Sequence, residues 1–180
     1  MSEKSFCGNS LRMPLMIDAP DCGTSIKTLT SVGQELVNHD PRHNILLSVH
    51  SYWATLKYNG FAEINAAIQS TLPLVFGEIA NKQFANGDEC YYGIDGTGVN
   101  HPPIYTMPNG GLFSYQALLA SLAQGEIGWL AWSWGPDGCA ARRMSSDGTF
   151  ANLTPFGSDL VTNGSYGLKG GMFGAKRSNF

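Results

Sequence analysis

Four short runs along this chain are almost continuously apolar: Met13–Asp18 (MPLMID), Asn44–Tyr52 (NILLSVHSY), Leu72–Glu78 (LPLVFGE) and Gly128–Trp134 (GWLAWSW). None shows the strict apolar/polar alternation of a sheet with one wet face, so they predict parallel strands covered on both faces. Between them the apolar spacing becomes helical. Ile26, Leu29, Val32 and Leu36 follow Thr24 and Ser25, either of which suits an N-cap. Phe61, Ile64, Ala67 and Ile68 mark a second helix. Phe113–Gln124 marks a third, with Gly125 at the position of a C-cap glycine. A last short helix is predicted near Thr154–Val161. The order β-α-β-α-β-α-β implies an α/β fold with a parallel sheet and right-handed crossovers.

Two stretches fall outside this rhythm. Ala80–Gly111 is rich in Gly, Pro, Asn and Tyr and reads as a long loop, a kind of segment that is usually functional or disordered. Asn163–Phe180 is Gly-rich and basic and is predicted to be a mobile or partner-bound tail. The expected organisation is one domain over residues 1–162 and a tail over 163–180. At 180 residues and 43% hydrophobic, the chain can bury a real core. A net charge of −3 gives no electrostatic reason to expect nucleic acid or an anionic membrane. No apolar stretch approaches the roughly 20 residues of a membrane span, and Met1–Phe6 has no apolar signal core. Cys7, Cys22, Cys90 and Cys139 are scattered without a Cys-x-x-Cys pair, so free thiols are expected and a zinc site is not. Neither a phosphate-binding Gly-x-x-x-x-Gly-Lys loop nor a Gly-x-Ser-x-Gly elbow is present.

The candidate chemistry lies at the ends of the apolar runs. The second ends Ser48-Val49-His50-Ser51-Tyr52-Trp53, the third Gly77-Glu78, and the fourth Trp132-Ser133-Trp134-Gly135. In a parallel layer these carboxyl ends lie side by side on one rim. A carboxylate at the end of a buried strand, as at Glu78, is costly unless chemistry needs it. Alternation with period two puts His50 and Tyr52 on one face, and Trp132 with Trp134 on one face. Trp129, of the other parity, is expected to pack under helices. Asp18 and Asp21 follow the first strand and could be site carboxylates, but a turn or cap role is the reading preferred here, and His39 and His43 read as solvated. A carboxylate beside a Tyr and a His, next to a tryptophan platform, suits a sugar site, because indole stacks on the apolar face of a pyranose.

These runs, Pro14–Pro20, Asn44–Tyr52, Leu72–Glu78 and Gly128–Trp134, resemble the last four strands of glycoside hydrolase family 5 enzymes of the endo-β-1,4-mannanase and cellulase type. The resemblance covers roughly residues 12–160. It implies an α/β chain forming half of a (β/α)8 TIM barrel. It implies hydrolysis of a β-1,4-linked polysaccharide, mannan or cellulose, by a retaining mechanism. Glu78 matches the nucleophile, His50 and Tyr52 the family's His-x-Tyr pair, and Trp132 the sugar-stacking Trp. Trp134 and Trp53 are further candidate sugar contacts. No cofactor and no metal are implied, the partner is a polysaccharide or oligosaccharide, and family members are commonly secreted. The chain departs from the family in lacking the Asn-Glu-Pro motif of the acid/base and the first four strands. A half-barrel would leave its inner strand face bare, taken here to include Val49 and Trp132, and pairing into a homodimer is expected to cover it. Such closure would bring Asp137 of a second copy to the acid/base position. A carbohydrate-binding or assembly fragment without turnover is the alternative.

Overall fold

The computed structural model describes residues 13–51, 60–81, 114–135 and 140–169. Strands Leu15–Asp18 (β1), Ile45–His50 (β2), Leu74–Ile79 (β3) and Gly128–Ala131 (β4) form one parallel sheet in the order β1-β2-β3-β4. Helices Ile26–His39 (α1), Gly60–Gln69 (α2) and Tyr115–Gln124 (α3) fall between successive strands, and Pro155–Thr162 (α4) follows β4. The alternation read from the apolar spacing is the alternation observed. No helix among the described residues is long and apolar enough to cross a membrane.

The core lies between one sheet face and the helices. Leu47 and Val49 of β2 and Leu74, Phe76 and Ile79 of β3 pack against Ile26 and Leu29 of α1, Ile64 and Ala67 of α2, and Leu118, Leu119 and Leu122 of α3. Val49 therefore belongs to the helix-covered face, not to the inner face assigned to it from sequence; its parity is opposite to that of His50. The other face carries Met16, Leu46, Ser48, Val75 and Leu130 by the same alternation. Coverage of both faces holds for the central strands only: on the edge strands Met16 is 55% and Leu130 51% exposed. Along α1 the buried face runs Ile26, Leu29, Gly33, with Leu36 and Val37 partly buried, whereas Val32 is exposed. The 3.6-residue period places position 33, not 32, against the sheet.

The helix ends use local chemistry. Ser114 Oγ accepts from the Ala117 N–H at 3.1 Å, and Thr154 Oγ1 from the Gly157 N–H at 3.1 Å, with Pro155 in the first turn. Ser25 stands at the N-cap of α1, but its hydroxyl donates to Thr28 Oγ1 and caps no backbone N–H. At the end of α3 the left-handed residue is Glu126 (φ 55°), not Gly125 (φ −85°). Position 125 lacks a side chain for a different reason: a Cβ there would sit 2.8 Å from Ile68 Cγ2.

Residues after α4 fold back on it. The N–H groups of Leu168 and Lys169 donate to Leu160 O and Val161 O at 3.0 and 2.8 Å. The Tyr166 and Tyr115 hydroxyls both donate to Asp159 Oδ2, at 2.6 and 2.9 Å, while Asn163 Nδ2 donates to Oδ1 at 3.0 Å. Burial, helped by the Asp159 carboxylate, pushes the Tyr166 phenol above its ordinary range. Packing thus continues past the boundary expected at residue 162, as far as Lys169; the rest of the expected tail lies outside the described residues.

Candidate active site

Strict alternation along β3 would send Glu78 to the same side as Phe76, into the helix layer. The ladder shows why it goes elsewhere. Val49 pairs with Phe76, and the next residue of β2, His50, pairs with Glu78. On the other side Phe76 pairs with Trp129 and Ile79 with Ala131. Gly77 is therefore one extra residue in β3, a bulge that turns Glu78 toward His50 and returns Ile79 to the core, where it is fully buried. A side chain at position 77 would run into the Ser48 hydroxyl, which explains the glycine.

At this rim His50 stands between two carboxylates. Its Nδ1 is 3.6 Å from Glu78 Oε2 and its Nε2 3.4 Å from Asp18 Oδ1. The His50 side chain is 15% exposed, Glu78 27% and Asp18 52%. The turn after β1 covers the ring: Gly23 has φ +85°, and a Cβ there would fall on the imidazole. The His50 N–H donates to Gly23 O at 2.7 Å, so the same turn fixes the backbone and the ring. Asp21 and Cys22 also lie in the left-handed region, at φ 56° and 55°.

The expected tryptophan platform is arranged less simply. β4 ends at Ala131, so alternation does not govern Trp132 and Trp134. The Trp132 N–H donates to Ile79 O at 2.8 Å, its side chain is 42% exposed, and the Trp132–Ser133 peptide is cis. Trp134 packs on Phe150, with ring centroids 4.8 Å apart, and its indole N–H donates to Gly148 O at 3.2 Å. Asp147 ties the loop that carries those two residues. Its carboxylate accepts from the Asn152 side chain at 2.7 Å and from the Thr149 hydroxyl and N–H at 2.8 and 2.9 Å, and these donors hold its pKa down at about 2. Trp129 packs against the core, as its parity predicted. An apolar cleft of about 230 Å³ runs along β4 between Trp129, Leu130, Trp134, Met144, Phe150 and Leu160.

Of the residues singled out from sequence, the structure brings His50 and Glu78 together and places Trp132 just past the end of the strand beside β3. Tyr52, Trp53 and Asp137 lie outside the described residues. Asp18, for which a turn role was preferred over a site role, stands beside His50 at this rim. The signal was present: Asp18 ends β1 as Glu78 nearly ends β3. No group of His, Cys, Asp and Glu suited to a metal occurs among the described residues.

The fold resembles that of proteins of known kind. Over 163 residues the chain is 26% identical to a mannan endo-1,4-beta-mannosidase of Salipaludibacillus agaradhaerens, covering 86% of this chain and 43% of the relative. A mannan endo-1,4-beta-mannosidase of Streptomyces lividans is also 26% identical, over 91% of this chain and 36% of its own length. The crystal structure of a beta-mannanase from Streptomyces thermolilacinus with mannohexaose superposes with a TM-score of 0.56 at 22% identity, covering 81% of this chain and 41% of that one. The chain is similar in sequence to mannanases and shares part of their barrel fold. It spans less than half the length of the relatives it matches. Its four parallel strands and their helices correspond to part of a mannanase TIM barrel. No protein-family model matches it.

Proposed function

We propose that the chain acts on a β-1,4-linked polysaccharide of the mannan type, with Glu78 as the nucleophile of a retaining glycosidase. The observation that carries this reading is the His50 ring 3.6 Å from Glu78 at neighbouring strand ends, with exposed Trp132 just past the end of the next strand. In such a site the carboxylate attacks the anomeric carbon, forming a glycosyl-enzyme that water then hydrolyses. Tyr52 and His50 hold the carboxylate, and Trp132 offers a stacking surface for the sugar. Trp134 and Trp53 extend that surface. The acid/base partner comes from outside the known rim: Asp137 of a second copy, closing the barrel as a dimer, is the proposed source. Retaining chemistry needs the two carboxyl groups about 5–5.5 Å apart. General acid assistance is worth about 10²–10⁴-fold, so aryl β-mannosides, whose leaving group needs little protonation, are the more sensitive substrates.

The test is turnover of mannan and an aryl β-mannoside by wild type and by Glu78→Gln. The variant is expected to lose at least about 10³-fold in kcat. Equal rates in both would remove Glu78 from the mechanism. A second reading is carbohydrate binding without turnover, in which exposed Trp132 at the strand end serves as a sugar contact. In that case no substrate is cleaved, and Glu78→Gln leaves mannooligosaccharide affinity unchanged.

A further inference from the structure

The carboxylate that the sequence assigned to a turn has a geometric role in the site. Asp18 ends β1, pairs through its backbone with Ser48, and reaches past it to the far nitrogen of the His50 ring. Among the described residues the carboxylates paired with that ring are Asp18 from β1 and Glu78 from β3, and the turn after β1 sets Gly23 against it. A neutral imidazole has one N–H and one lone pair, and an ionised carboxylate can only accept. Of two carboxylates the neutral ring can therefore donate to only one, and the second pairs with the ring nitrogen only when a proton is shared between that nitrogen and the carboxyl. Asp18 is the closer of the two, at 3.4 Å against 3.6 Å.

We propose that Asp18 is a positioning residue for His50: its carboxylate holds the proton on Nε2, which leaves the Nδ1 lone pair facing Glu78. This inference rests on the reading of Glu78 as the nucleophile. A proton that reaches the Glu78 carboxyl then passes to His50 Nδ1, and the resulting imidazolium lies against the Asp18 carboxylate. Glu78 is left ionised for attack, and no other bond changes. The turn at Gly23 lies against the ring, which has room there only because position 23 carries no Cβ. The logic is that of a carboxylate orienting a histidine toward its working partner, where the wrong tautomer is inactive even when the geometry survives.

The experiment compares wild type, Asp18→Asn and Asp18→Glu by ¹⁵N NMR of the His50 ring and by kinetics on an aryl β-mannoside. Wild type is expected to show the Nε2–H tautomer. In Asp18→Asn the side-chain amide can donate to Nε2, so the Nδ1–H tautomer is expected, with kcat lower on the order of 100-fold and KM nearly unchanged. Asp18→Glu restores the carboxylate and is expected to recover the wild-type tautomer and most of kcat. An Asn variant that keeps both the Nε2–H tautomer and wild-type kcat would overturn the proposal. The ring spectrum needs no turnover. A tautomer switch in a protein that cleaves nothing upholds the role of Asp18 and sinks the glycosidase reading; turnover without a switch does the reverse.

Discussion

A methyl group at position 77 has nowhere to go: it meets the hydroxyl of Ser48, itself fully buried. Overpacking of this kind costs about 1–3 kcal/mol. Gly77→Ala is accordingly expected to lower the unfolding free energy in urea by that amount. It should also reduce turnover, because relief of the clash shifts either the bulge or the His50 side of the sheet. A variant with unchanged stability and rate would show that the bulge tolerates a side chain. Legibility from sequence was uneven at this scale. The Gly-Glu ending of an apolar run was enough to single out Glu78. It did not reveal the bulge, since alternation is read on the assumption that every residue of a strand is paired. For Asp18 the site role ranked second to a turn role for a related reason: its partner comes from a different strand, and only the sheet register brings the two together.

The junction of α3, α4 and the following turn hangs on one carboxylate that serves two phenols. Tyr166 keeps its proton in the folded chain well above the ordinary phenol value of 10.0, because burial and Asp159 disfavour the phenolate. The unfolded chain releases that proton near pH 10 while the folded chain does not. Stability from this group is therefore complete below about pH 10 and declines as pH rises above it. Tyr166→Phe is expected to cost about 1 kcal/mol near neutrality and to flatten the alkaline limb of a denaturation-against-pH series. An alkaline limb as steep in the variant as in wild type would assign the effect to another group. The helices were legible because a 3.6-residue period survives one misplaced position, such as Val32 for Gly33. The docking of residues 163–169 was not, since glycine-rich composition says little about backbone hydrogen bonds to a helix end.

Across the whole molecule, the central strands were readable as buried runs, whereas the edge strands carry the same kind of residues without the same cover. Met16 and Leu130 lie on the face without helices, on β1 and β4, and both are mostly exposed. Two parallel edges of this kind complement each other: β4 of one copy can continue into β1 of another. Light scattering is expected to give twice the mass of one chain, and charged substitutions at Met16 and Leu130 should return it to one. A wild-type monomer would rule out the self-assembled barrel, and with it Asp137 of a second copy as the acid/base. A last consequence concerns the surplus residue of β3. With Gly77 removed, Phe76 and Glu78 would count off against Val49 and His50 on one side, and Phe76, Glu78 and Ile79 against Trp129, Leu130 and Ala131 on the other, one for one. In this strand, shortening the chain is a gentler edit than replacing a letter, because the neighbours already keep time as if that residue were absent.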